Sequence, residues 1–307
     1  CNLMALITPF DDFPIHQTAE TLAVPSSSDR NHYDRYWFNG FSEEKDFLFE
    51  IGVGFYPNRH IMDAHFSIST AGKQYSYHAS ARMNPARYPI NIGPISLEIL
   101  EPMQKIRFSL KDPEKKLSCD LIFNAITEPN LEPKSLLIEG TRKILETRRF
   151  TQFGKWDGSI ETESGNLDLT KEYGTRDKSW GVRPVGEPEI GAPGKLNAEP
   201  GVYWCWIPIN FGDTFTHFGT FEDHDGNSTQ LSADLVEISN NEVIKPLNNI
   251  SHKVDWIKGT RWSSGAQISA QEGDKKIEIN AKACGPRFHC KGIGYQHPEW
   301  GHGFWKG

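Results

Sequence analysis

Phe47-Leu48-Phe49-Glu50-Ile51-Gly52-Val53-Gly54-Phe55 places a large apolar side chain at every second position, with Leu48, Glu50, Gly52 and Gly54 between them. Successive side chains of an extended chain point to opposite faces, so this period of two predicts a strand with one face in a core. Ile106, Phe108 and Leu110 repeat the pattern against Lys105, Arg107, Ser109 and Lys111, and Ile277, Ile279, Ala281 and Ala283 repeat it against Lys276, Glu278, Asn280 and Lys282. Further strand-like runs cover 62–70, 74–81, 117–125, 202–210, 213–222, 229–238, 252–259 and 264–272. Asp225-Gly226-Asn227 and Glu272-Gly273-Asp274 supply tight turns between some of them. The segment 140–148 fits a short helix or a strand, and no other stretch carries a helical period. The expectation is an all-β chain of antiparallel barrels.

A length of 307 residues suggests two domains. The division is expected between 145 and 170, giving units 1–150 and 151–307. Eight of the nine tryptophans lie at or after Trp156, which points to an aromatic-lined cavity in the second half. The net charge of −7 supplies no basic field for nucleic acid or anionic lipid. No apolar run reaches the length of a transmembrane helix.

The five cysteines, Cys1, Cys119, Cys205, Cys284 and Cys290, are odd in number and scattered, unlike a disulfide framework. Cys284, His289 and Cys290 miss the usual zinc spacings, so no metal site is expected. The chain begins at Cys1, as a mature lipoprotein would. Trimming is the simpler reading and goes with a cytoplasmic location; a processed Cys1 would imply the periplasm or a lipid anchor.

The chemistry concentrates in Gly174-Thr175-Arg176-Asp177-Lys178-Ser179-Trp180-Gly181-Val182-Arg183-Pro184. Asp177 is the candidate catalytic acid. In a dry cavity walled by Trp180 and by Trp204 or Trp206, its carboxyl would hold a proton near neutral pH. The competing reading pairs Asp177 with Arg176, Lys178 or Arg183 and makes it a loop anchor. Tyr295, His297 and His302, in Tyr295-Gln296-His297-Pro298-Glu299-Trp300-Gly301-His302-Gly303, are the assisting candidates, or else turn residues. Asp29 to Trp37 reads as a mouth or an interdomain contact, with Trp37 facing ligand and Asp34, Arg35 and Arg30 in an ion-pair network. The Pro- and Gly-rich stretch 184–201 reads as a lid or rim, with a plain surface loop as the alternative. Phosphate-cradling glycine loops, G-x-S-x-G and HExxH are absent.

Asp177-x-x-Trp180-Gly181 resembles the D-x-x-W-G motif of the carotenoid hydratase and AttH-like families, which are two-domain, lipocalin-related proteins. The longer GTRDKSWGVRP form and the terminal YxHPxWGHG look similar to a bacterial branch of that group. The resemblance implies two lipocalin-like barrels packed together. It also implies proton-initiated hydration, dehydration, isomerisation or cyclisation of an isoprenoid, steroid or polyketide-like molecule, without a cofactor. By position Asp177 would be the proton donor and Trp180 a wall that stabilises positive charge. Arg176, Lys178 and Ser179 stand where the hydratases carry histidine or asparagine. A carrier of the same hydrophobic ligand is the alternative.

Overall fold

The computed structural model describes residues 9–114, 116–184, 203–238 and 243–307. Cys1 and nearly all of the expected lid lie outside the described residues. The described chain is built of antiparallel strands and a few short 3-10 turns, as the alternation predicts. Among the described residues no helix is long and apolar enough to cross a membrane.

The chain divides into two compact units, Cys1–Ile190 with Pro286–Gly307, and Gly191–Gly285. In the first, strands β1 (His32–Ser42), β2 (Phe47–Tyr56), β3 (Ile61–Thr70) and β4 (Lys73–Arg82) form one run of the sheet. β5 (Ile90–Ile92), β6 (Ile95–Glu101), β7 (Lys105–Lys111) and β8 (Leu117–Ala125) form the other. β11 (Arg142–Thr162) and β12 (Gly165–Val182) join the two runs, in the order β4-β3-β2-β1-β12-β11-β8-β7-β6-β5. The short β9 (Asn130–Leu131) and β10 (Ser135–Glu139) pair with β11. β4 and β5, at the two ends of this order, touch, so the sheet curls nearly shut.

The expected division at 150/151 falls inside β11. This strand runs 21 residues and bonds to β12 along nearly all its length, which keeps the segment in the first unit. The ambiguous 140–148 is strand. The terminal segment, Pro286–Gly307, likewise returns to the first unit rather than closing a barrel of the second.

The inner face of the curled sheet is filled by the alternating residues of the opening stretch, Phe47, Phe49, Ile51, Val53 and Phe55, with Phe38, Phe66, Phe108, Phe123 and Trp156. Gly40, Gly174 and Gly154 stand opposite one another on β1, β12 and β11. Together they make a slot for rings: a Cβ on Gly174 would sit 2.3 Å from Trp156 Nε1, and one on Gly154 2.2 Å from the Phe123 ring. Gly174 therefore opens the conspicuous motif for a packing reason. Gly181 has φ +129, and a Cβ there would lie 2.1 Å from the Glu146 carbonyl oxygen on β11.

The second unit contains a four-stranded sheet, β13 (Tyr203–Asn210), β14 (Thr214–Glu222), β15 (Ser228–Glu237) and β16 (Val243–Pro246). A three-stranded sheet, β17 (Asn248–Trp256), β18 (Ser263–Glu272) and β19 (Lys275–Lys282), completes it. Phe218 and Ala233 from the first and Ile268 and Ala270 from the second share one small core.

Candidate active site

The outer face of the first sheet should be solvated if period-two alternation were the whole story. Instead all ten residues of β3 are buried, including Asp63, His65, Ser67 and Ser69. The terminal segment covers this face. Gly303 N donates to Asp63 Oδ2 at 2.6 Å, Lys306 N to Ser80 Oγ at 2.9 Å, and Ser69 Oγ to the Arg287 carbonyl at 2.8 Å. Gly52 and Gly54 on β2 leave the room these side chains need: a Cβ would meet His65 Nε2 at 2.2 Å from the first and Asp63 Oδ1 at 2.6 Å from the second.

Under that cover Tyr295 meets two guanidiniums. Arg35 Nη1 donates to its phenol oxygen at 3.1 Å, and Arg183 also bonds to it. Burial alone would raise the phenol pKa, but the two cations prevail and hold it below its usual 10.0. Neither arginine has a carboxylate within ion-pair range among the described residues, and the Nε of each is buried without a partner.

His302 packs against Tyr295 with ring centroids 4.6 Å apart and stacks on His65 at 5.9 Å. Its Nε2 lies 2.8 Å from the Ile293 carbonyl, so Nε2 carries the proton and Nδ1 accepts from Arg183 Nη2 at 3.4 Å. Burial first, then the fields of Arg35 and Arg183, hold His302 well below 6.5 and keep it neutral. His65 is neutral for the same kind of reason, and its Nε2 accepts from Arg35 Nη2 at 3.3 Å.

Asp177 faces this same outer side, directly across from Trp37 on β1 and Thr151 on β11. Burial raises its carboxyl to about 6, against the opposing pull of Arg149, Arg35 and Arg183. No hydrogen bond reaches that carboxyl among the described residues. Arg149 is instead engaged by Glu132, its Nε donating to Oε2 at 2.8 Å, and Glu132 also takes the Thr151 hydroxyl at 2.5 Å. The alternative that Asp177 anchors a loop by pairing with a neighbour therefore loses its partners. Arg176 and Lys178 are one residue away and point to the opposite face. Arg183 reaches Asp177 only as a field.

The same alternation corrects the expected wall. Trp180 lies three positions from Asp177, an odd step on a strand, and so faces the inner side, edge-on to Phe150 at 6.4 Å. Arg176 faces inward too, between Phe123 and Phe150, with its Nε donating to Gln152 Oε1 at 2.7 Å. Trp204 and Trp206 belong to β13 of the second unit, stacked 6.4 Å apart. His297 is a turn residue, its Nδ1 accepting from the backbone of Glu299 and Trp300 at 3.1 and 2.9 Å. Trp37 is the expected neighbour that does lie beside Asp177, and it hydrogen-bonds Glu50, which burial raises to about 7. Asp34 pairs with Lys178 on the inner side, while Arg35 is turned outward, so the expected ion-pair network is divided by the sheet.

One hollow of about 160 Å³ lies at one end of the first sheet's inner face, and another of about 360 Å³ lies against β17–β19. Neither is lined by Asp177, so the aromatic cavity expected beside it is not one of them. Among the described residues no three His, Cys, Asp or Glu side chains converge as a metal site.

Arg35, Asp63, His65, Arg149 and Arg183 were not chosen as site residues from the sequence. A signal was available: Asp63, His65, Ser67 and Ser69 alternate with an apolar face opposite Gly52 and Gly54. Polar residues facing glycines across a ladder mark a side built to receive more chain.

The raised carboxyl has a consequence for stability. A proton held more tightly in the folded state stabilises it below the unfolded pKa of 3.8, and that contribution is lost as pH rises through about 6. The Asp177→Asn protein lacks the term. Its stability relative to wild type is therefore expected to improve by up to about 3 kcal/mol between roughly pH 4 and pH 7.5, read from urea midpoints. An unchanged difference would mean that Asp177 is ionised and solvated in the folded protein.

An antiparallel, lipocalin-like all-β fold with a buried acid, phenol and arginine cluster on the outer face of its larger sheet defines the class. By sequence, residues 7–307 match the family of unknown function DUF8625, and the chain belongs to that family. Solved structures share the fold, two of them as follows. One, from Nitrosomonas europaea and assigned as an AttH, is 15% identical, with a TM-score of 0.55 over 80% of this chain and 78% of that one. The other is kievitone hydratase of Nectria haematococca, 11% identical, with a TM-score of 0.53 over 84% and 79%. Among curated proteins none matches by sequence.

Proposed function

We propose that the protein is an enzyme of acid–base chemistry that adds water to, or removes it from, an unsaturated and largely apolar small molecule. Asp177 is the proton donor. In the addition direction its O–H bond breaks and a C–H bond forms on the alkene. Water then bonds to the carbon left electron-poor, and its surplus proton passes to Tyr295 and back to Asp177. The observation that carries this reading is the pair of groups moved toward each other. A buried carboxyl raised to about 6 and a phenol brought below 10.0 share the fields of Arg35 and Arg183. Perturbed ionisable groups gathered on one buried face point to a site of acid–base chemistry. The fold held in common with a hydratase supports the same reading. Isoprenoids, steroids and polyketide-like alkenes are the substrate classes to try, with no cofactor added.

The test is incubation with a panel of such alkenes in heavy-oxygen water and, separately, in deuterium oxide. One heavy oxygen and one carbon-bound deuterium per product molecule are expected. Recovery of every compound unlabelled would overturn the reading. It would favour the second one, a carrier that binds such ligands unchanged.

A further inference from the structure

The residues beside Asp177 and Arg35 in the chain serve the other side of the sheet. Asp34, Tyr36 and Lys178 face inward at the end of the curl, and they line the hollow of about 160 Å³. Its walls are mostly rings and branched chains: Phe10, Phe55, Tyr88, Ile90 and Ile99, with Tyr36 at the base. Tyr36 meets Phe55 edge-on at 6.5 Å, and Phe10 meets Tyr88 edge-on at 6.1 Å. Phe10 is 36% exposed and Tyr88 42%, so two aromatic side chains stand at the rim with apolar area uncovered.

The charges around this hollow do not balance. Lys178 lies over the Tyr36 ring at 4.5 Å and pairs with Asp34. Arg87 also lines the hollow, and its Nε is buried without a partner. Deeper in, Arg176 is close enough for the Tyr36 phenol to feel its charge, and it has no carboxylate within ion-pair range among the described residues. Two cations, Arg87 and Lys178, thus line the hollow with one carboxylate, and Arg176 adds its field from behind Tyr36. His32, on the same side of β1, adds no charge, because burial and Arg87 lower its pKa. A buried cation short of an anion is costly, and a bound anion relieves that cost.

We propose that this hollow is a second binding site, distinct from the Asp177 face, for a small aromatic carboxylate. The ring would lie among Phe10, Tyr36, Phe55 and Tyr88, and the carboxylate would take Arg87 and Lys178. The size agrees, since a dry protein cavity of about 150 Å³ accommodates benzene.

Calorimetric titration of the full chain with sodium benzoate, and with benzamide as the uncharged counterpart, tests it at neutral pH. Saturable benzoate binding is expected, with benzamide weaker by about tenfold or more. Arg87→Gln should remove that preference, and Ile99→Trp, which fills the hollow, should abolish both. Asp177→Asn should leave benzoate affinity unchanged, because its side chain is on the opposite face. Circular dichroism confirms that each variant is folded. Absence of saturable benzoate binding to wild type overturns the proposal, as does equal affinity for the two probes or a preference that survives Arg87→Gln. Full benzoate affinity in a folded Ile99→Trp protein would place the ligand elsewhere and overturn it equally.

Discussion

Asp177→Asn is expected to lower turnover by about 10²–10⁴-fold, the range that loss of a positioned general acid produces. Asparagine keeps the shape and the strand register, so the ladder from Trp37 through Asp177 to Thr151 survives. What it lacks is a proton to give. The comparison variant is Tyr295→Phe, which removes the phenol oxygen and leaves Arg35 and Arg183 with no anionic or phenolic acceptor between them. Because Tyr295 is the proton acceptor in this scheme, its loss should also flatten the limb of the rate profile that its ionisation controls, on the acidic side. A wild-type rate from Asp177→Asn on any substrate that wild type turns over would remove Asp177 from the reaction.

Trp156→Ala is expected to cost about 3–5 kcal/mol, the range for a buried large aromatic side chain. Trp156 has no exposed surface and meets Phe38, Phe49 and Phe123 edge-on at centroid distances of 5.7, 5.3 and 5.2 Å. The upper part of the range applies because the slot is floored by Gly40, Gly154 and Gly174, none of which has a side chain to move into the space. A polar loss accompanies it. The indole Nε1 donates to the Asn39 carbonyl at 2.7 Å, and that oxygen would be left without this donor. Trp156→Phe retains part of the packing and should fall well short of the alanine cost. Equal urea midpoints for the two variants would mean that the slot closes on its own, and that the glycine row is not what holds it open.

The apolar half of this architecture was legible in the residues. Phe47, Phe49, Ile51, Val53 and Phe55 point inward as their spacing requires, and so do Ile106, Phe108 and Leu110. Alternation also contained the answer for Trp180, since an odd step from Asp177 forces opposite faces. A reading by proximity in the sequence groups them; a reading by strand geometry separates them. The outer face was harder to read, because nothing local says that residues some 240 positions later will cover Asp63. Only the glycines opposite it hint at that. The division of the chain was hidden for a related reason. β11 and β12 look like any hairpin, and their length becomes informative only once β1 and β8 are known to lie on either side.

Because Asp34 and Arg35, like Asp177 and Lys178, serve opposite sides of one sheet, segment length matters here as much as identity. A one-residue deletion between Gly174 and Asp177 would turn every following side chain over. Lys178 would take the place of the acid, and the aspartate would be pushed among phenylalanines. Substitutions along this strand should therefore be graded in effect, while in-frame deletions of one codon there, which shift the register, should be uniformly destructive. Changes of two residues, or changes confined to the Glu163–Ser164 turn, should be the ones that a selection for folded protein recovers.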